Sequence, residues 1–282
     1  MSTVKLESTT IHYEEQGPGD GRPVVFVHGY GMGGSLWRQL GERLAPAGLR
    51  CIAPTWPLGA HTEPANRALT MESVAGLVAE SLTALGLEDV VLVGNDTGGA
   101  IAQIVATTAP ERLGALVLTG CDAFEHFPPP ILKPLIAAAW SSATFVAASA
   151  PLRTRAGRRF AYGRLAHADI DQMVVEWTRP ALTDRRIRED LRHFTASLDR
   201  ETTVRAAAAL PGFAKPALIA WSADDAFFGL EDGHRLAAVL PDARFELIER
   251  ARTFSMIDQP DRLAELILSF VADRAPARAA VG

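Results

Sequence analysis

No histidine follows His234 in this 282-residue chain, and cysteine is nearly absent, with only Cys51 and Cys121. Two cysteines give neither a disulfide framework nor a metal-ligand spacing. No run approaches the about 18 consecutive apolar residues that a membrane span needs. The first residues, MSTVKLESTTIHYEE, have neither a basic start nor an apolar core, so no signal peptide is expected. Basic residues do not dominate: the net charge is −5, without a basic stripe, which argues against nucleic acid. What remains is the composition of a packed domain, 48% hydrophobic and 22% charged. No cofactor, no nucleic acid and no membrane partner is expected, and the expected setting is the cytoplasm.

Strand patterns recur at 11–15, 23–27, 50–54, 90–94, 115–119, 217–221 and 244–248, and helical patterns at 36–44, 71–85, 97–107, 230–240 and 260–272. Alternation of this kind predicts a mostly parallel sheet covered by helices on both faces. Continuous apolar runs such as VVFV and ALVL fit strands buried on both sides. Between about Asp122 and Leu210 the alternation stops. Helical stretches are predicted at 131–148, 155–162, 169–177 and 183–198, with breaks at Pro151, His167 and Pro180. The chain is therefore read as an α/β core formed by 1–121 and 211–282, with 122–210 inserted as a helical cap over the C-terminal strand ends. Ligands bind at those ends in open α/β sheets. The tail 275–282 is expected to fray.

The chemistry concentrates in VVLVGNDTGGAIAQ, residues 90–103: an apolar strand, a sharp turn at Gly94-Asn95-Asp96-Thr97-Gly98, then a helix of small residues. This is the context of a nucleophile elbow with aspartate at its tip. An aspartate nucleophile attacks carbon and leaves an ester that a base must hydrolyse.

Over essentially its whole length the chain resembles an α/β-hydrolase. FVHGYGMGG (26–34), GNDTGG (94–99), AWSADDAFF (220–228) and LIERARTFSMIDQPDRLAELI (247–267) match that superfamily's landmarks in order. The resemblance implies an α/β-hydrolase fold: a mostly parallel eight-stranded sheet flanked by helices, with an inserted helical cap. Aspartate at the elbow is similar to the haloalkane dehalogenase and epoxide hydrolase branch. It implies Asp96 as nucleophile, Asp225 as the acid partner, and the backbone amides of Tyr30 and Thr97 as an oxyanion hole. The histidine of that branch is missing, and Thr253 stands at its position. Other marks of the branch are also absent: Thr97 follows the nucleophile where Trp or Arg would help hold halide, and Tyr162 is the only tyrosine in the cap.

Two histidines are candidate substitutes for the base, His61 in the loop after the 50–54 strand and His126 at the cap entrance; each is otherwise a loop or packing residue. Without a histidine to orient, Asp225 is expected to hold Thr253 or a backbone amide, or else to approach Asp96 so that the pair shares a proton. His28 is expected to fix its loop. Trp56, Trp140, Trp177, Phe124, Phe127 and Phe228 are pocket-lining or core candidates. The first functional reading is a hydrolase-class enzyme acting through Asp96 on a small to medium apolar substrate with a C–X bond, an epoxide or an ester. The alternatives are a non-hydrolytic lyase, isomerase or cyclase of secondary metabolism, and a ligand-binding protein that has lost its chemistry.

Overall fold

The computed structural model describes residues 1–273. The expected fraying of 275–282 lies outside them. Strands β1 (Ser2–Lys5), β2 (Thr10–Gln16), β3 (Arg22–Val27), β4 (Leu49–Pro54), β5 (Val90–Asp96), β6 (Leu113–Cys121), β7 (Ala217–Ser222) and β8 (Ala243–Ile248) form one sheet in the order β1-β2-β4-β3-β5-β6-β7-β8. Pairing is antiparallel at β1–β2 and β2–β4, and parallel from β4 through β8. Parallel strands need crossovers, and α1 (Arg38–Leu44), α2 (Met71–Ala84), α3 (Thr97–Thr108) and α10 (Leu230–Val239) supply four of them, while α12 (Pro260–Ala272) follows the last strand. The central strands are buried on both faces, as their continuous apolar runs require.

Between β6 and β7 come α4 (Lys133–Ala138), α5 (Ser142–Ser149), α6 (Arg155–Tyr162), α7 (Asp171–Thr183), α8 (Arg185–Ala196) and α9 (Arg200–Ala209); a single turn, α11 (Ser255–Asp258), follows β8. Several of these elements differ from the sequence pattern. The 131–148 stretch is two helices, because Ser141 interrupts it and accepts the Thr144 N–H as the cap of α5. Pro180 does not break α7 but lies inside it. The proline forfeits one backbone hydrogen bond, while burial of Val174, Trp177 and Ala181 holds the helix together. Helix α9 went unpredicted because its buried face is Thr202, Thr203, Ala206 and Ala207, small or polar residues without apolar periodicity. Strand β1 did too, since only Val4 of its four residues is buried.

Candidate active site

Asp96 ends β5 and caps the N-terminus of α3 with φ 55° and ψ −136°, a backbone conformation that strains any residue with a side chain. The turn pushes the carboxylate out beyond the sheet. Its tight packing explains two glycines. A Cβ on Gly29 would lie 2.1 Å from Asp96 Oδ1, and one on Gly98 would lie 2.2 Å from the Val27 carbonyl oxygen. Two backbone amides converge on Asp96 Oδ1, with Thr97 N–H donating at 2.6 Å and Tyr30 N–H at 3.3 Å. These are the amides expected from the sequence, and the carboxylate itself occupies them.

The electrostatics around Asp96 are contested. The amides and the α3 N-terminus favour its anion. Burial opposes them and wins, with the negative charge of Asp225 adding to it, so the carboxyl is pushed up to about 6. Asp122 follows β6, and its Oδ2 accepts the Thr97 hydroxyl at 3.0 Å. Burial, then the charge of Asp96, holds Asp122 well above the usual carboxylate range. Asp225 is raised as well, by burial. Three carboxyl groups thus share this end of the sheet, each disfavoured as an anion.

Asp225 is held on one side only. Its Oδ1 accepts the Phe227 and Phe228 N–H groups at 2.9 and 3.1 Å and the Thr253 hydroxyl at 2.9 Å, while the buried Oδ2 has no partner among the described residues. Thr253 is fully buried, and its carbonyl accepts the Asn95 side-chain amide at 2.9 Å. The same Asn95 amide reaches the carbonyls of Thr119 and Gly120 at 2.8 and 3.1 Å. Sequence reasoning passed over Asn95; its place beside the elbow aspartate was the available signal.

Neither candidate substitute histidine reaches Asp96. His61 is buried, with Nε2 3.2 Å from Asp190 Oδ2 on α8 and Nδ1 accepting the Gly59 N–H at 3.3 Å. His126 pairs through Nδ1 with Asp232 of α10 at 2.7 Å. Neither lines the cavity that holds Asp96. In both cases a carboxylate outside that cavity captures the ring. His28 does fix its loop: its Nε2 accepts the Trp56 N–H at 2.9 Å and its Nδ1 lies 3.0 Å from the Gly29 carbonyl. Burial drives its pKa down to about 4, so it stays neutral.

The cavity over Asp96 measures about 130 Å³ and is walled by apolar side chains, among them Met32, Leu132, Leu135, Leu165 and Phe228, with Tyr30 and Tyr162. An engineered apolar cavity of about 150 Å³ holds benzene, so the space suits a single ring or a short chain. Tyr162 donates to the Gly31 carbonyl at 3.0 Å, and the Tyr30 hydroxyl sits 2.6 Å from Thr195 Oγ1 on α8. Of the six aromatic candidates only Phe228 lines this cavity. Trp177 walls a smaller adjoining one of about 40 Å³. Trp56, Phe124 and Phe127 are core, and Trp140, 77% exposed, is neither core nor lining, because it falls in the break between α4 and α5.

A doubly covered parallel sheet, with a strained residue at the β5–α3 turn and an amide pair facing it, defines a class, and comparison with known proteins agrees. A family profile described as the alpha/beta hydrolase fold matches residues 22–260. The chain belongs to that family and is an α/β-hydrolase-like enzyme. It is similar to the 2-hydroxy-6-oxo-6-phenylhexa-2,4-dienoate hydrolase of Comamonas testosteroni, 26% identical over 286 residues, covering 97% of this chain and 95% of that protein. A 2-hydroxy-6-oxononadienedioate/2-hydroxy-6-oxononatrienedioate hydrolase of Paraburkholderia phymatum is 28% identical over 275 residues, covering 93% and 90%. Among solved structures, haloalkane dehalogenase DbeA from Bradyrhizobium elkani superposes with a TM-score of 0.80 at 17% identity, covering 97% of each chain. A thermophilic esterase from Thermogutta terrifontis gives 0.77 at 22%, covering 98% and 100%. At such identities the two structures speak for the fold alone. Among the described residues no helix is long and apolar enough to cross a membrane.

Proposed function

We propose that the protein is a hydrolase-class enzyme in which Asp96 attacks a compact apolar electrophile, an alkyl halide, an epoxide or an activated ester. The observation that carries this reading is the asymmetry of the Asp96 carboxylate: both amides hold Oδ1, and Asp96 lines the apolar cavity, so Oδ2 is assigned as the reactive oxygen. Attack by Oδ2 forms a C–O bond as the C–X or C–O bond of the substrate breaks, and the departing group takes the electron pair. Oδ1 then becomes the carbonyl oxygen of the alkyl ester left by a halide or an epoxide, or of the mixed anhydride left by an activated ester, already facing the oxyanion hole of Tyr30 and Thr97. Residues 122–210 act as the cap that roofs this site over the core of 1–121 and 211–282.

The second half-reaction needs activated water. Thr253 replaces the base, and its hydroxyl is committed to Asp225. The ester at Asp96 is therefore long-lived, and turnover is slow. One observation favours a second reading, a lyase, isomerase or cyclase in which Asp96 moves protons. Three carboxyls with raised pKa share the site, and Asp96 near 6 suits acid–base work at neutral pH. The scarcity of cysteine, with both thiols free and buried, supports a cytoplasmic setting.

Intact-protein mass spectrometry after incubation with epoxides, alkyl halides and activated esters tests the first reading, with Asp96→Asn alongside. A stable adduct that is absent from the variant is expected. Asp96-dependent turnover without an adduct would transfer the assignment to proton transfer. A ligand-binding protein without chemistry would show neither, and would bind an apolar ligand at least as well after Asp96→Ala.

A further inference from the structure

The net charge of −5 conceals a sharp local bias. Residues 127–168 contain no aspartate or glutamate, yet carry Lys133, Arg153, Arg155, Arg158, Arg159 and Arg164. Part of this charge is gathered in a cleft of about 390 Å³ between α6, the start of α7 and the loop after β8. Four guanidinium groups line it, those of Arg155, Arg158, Arg159 and Arg252, against two carboxylates, Asp169 and Asp171. Both carboxylates are already spoken for: Asp169 pairs with Arg155 at 2.9 Å, and Asp171 takes Arg158 in a two-pronged bridge at 2.8 and 2.9 Å. Among the described residues, neither the Arg159 nor the Arg252 guanidinium has a carboxylate partner. The Arg252 guanidinium is nonetheless held in place, donating through Nη1 to the carbonyls of Ala166 and Gly163 at 3.1 and 3.3 Å. His167, also in the lining, is engaged outside the cleft by Asp224 at 3.0 Å.

The geometry points to this cleft as a binding site for a phosphate-type dianion. A concave space with two surplus positive charges calls for a compact doubly charged ligand. Planar guanidinium forks match phosphate oxygens two at a time and stay charged at every physiological pH. The volume admits a phosphate with a small organic substituent. The cleft is separate from the Asp96 cavity, and Tyr162 walls both. The site therefore stands whatever chemistry Asp96 performs. The phosphate would come either from a soluble monoester or from a lipid headgroup, since both present the same oxygens.

Isothermal titration of the full chain with inorganic phosphate, in a low-salt buffer free of other polyanions, tests the site. Vesicles of phosphatidylcholine with and without phosphatidic acid form the second arm. Saturable binding with one phosphate per chain is expected. Arg159→Gln and Arg252→Gln should each weaken it about tenfold or more, the worth of a lost charge-assisted hydrogen bond. Arg200→Gln, exposed on α9 outside the cleft, should leave binding unchanged. Arg159→Lys should restore part of the affinity, which separates loss of charge from loss of fold. Capture by phosphatidic acid vesicles but not by free phosphate, lost in the same two variants, would support the site with lipid as the source. Absence of binding in both arms, or equal binding by parent and cleft variants, would overturn it.

Discussion

Replacing Asp96 with asparagine should make the protein more stable, and by an amount that depends on pH. The Asp96 carboxyl rises from 3.8 to about 6 on folding, because burial outweighs the two amides and the nearby Asp225 adds repulsion. A carboxyl raised in the folded state means that the native protein binds the extra proton. Its contribution is therefore fully favourable below the unfolded value and is lost as pH rises through about 6. At 1.36 kcal/mol per pH unit, the folded state carries a penalty of about 3 kcal/mol once Asp96 is ionised in both states. Asparagine has the shape of the protonated acid and can still accept both amides, so it escapes that penalty. The gain should be about 1 kcal/mol at pH 4.5 and about 3 kcal/mol at pH 8, the latter raising the melting temperature by roughly 6 °C or more. His28, lowered to about 4, contributes in the opposite sense, with stability lost as pH falls below its unfolded value of 6.5. It is common to both proteins and cancels in the difference. Asp122 and Asp225 face the same space and should themselves ionise more readily in the variant. Urea unfolding of parent and Asp96→Asn at several pH values measures the difference directly. A variant no more stable than the parent at pH 8, or one whose gain is flat from pH 4.5 to 8, would refute the reasoning.

Two further substitutions probe the surroundings of Asp96. Thr97→Val removes the hydroxyl that Asp122 Oδ2 accepts and should cost about 1–3 kcal/mol in urea unfolding, whereas Thr97→Ser should cost little; equal stability of the valine variant and the parent would show that the contact carries no weight. Gly29→Ala would set a methyl 2.1 Å from Asp96 Oδ1 and so drive the carboxylate off its two amides. Adduct formation should fall about a hundredfold, as when an oxyanion-hole contact is lost, with the near-UV circular dichroism preserved, and adducts at the parental rate would count against the assigned geometry.

The layout of the sheet was readable because buried parallel strands are written in continuous apolar runs, and β3 and β5 show this directly. Helix α12 begins and ends where the pattern places it, since Pro260 fixes its first turn. Elements without an apolar stripe escaped, α9 and β1 among them. At the site, local sequence marked the strand–turn–helix around Asp96 and the two amides, because both belong to short contiguous motifs. The partners of His61 and His126 could not be read in the same way. Asp190 and Asp232 lie 129 and 106 residues away along the chain, and only folding brings them to the rings. The Asp122–Thr97 contact escaped for a related reason: the two residues lie 25 apart along the chain and meet only when β5 pairs with β6.

Asn95 gives the threonine at position 253 a further meaning. One side-chain amide gathers carbonyls from the end of β6 and from the loop after β8, so the path of that loop is set from behind. The side chain at position 253 points away from this anchor, toward Asp225. Backbone placement and side-chain identity are thereby separated at this position. A lineage carrying such an anchor is free to exchange the residue facing Asp225 without redrawing the loop, and a laboratory seeking to install a base there inherits a backbone already held in place.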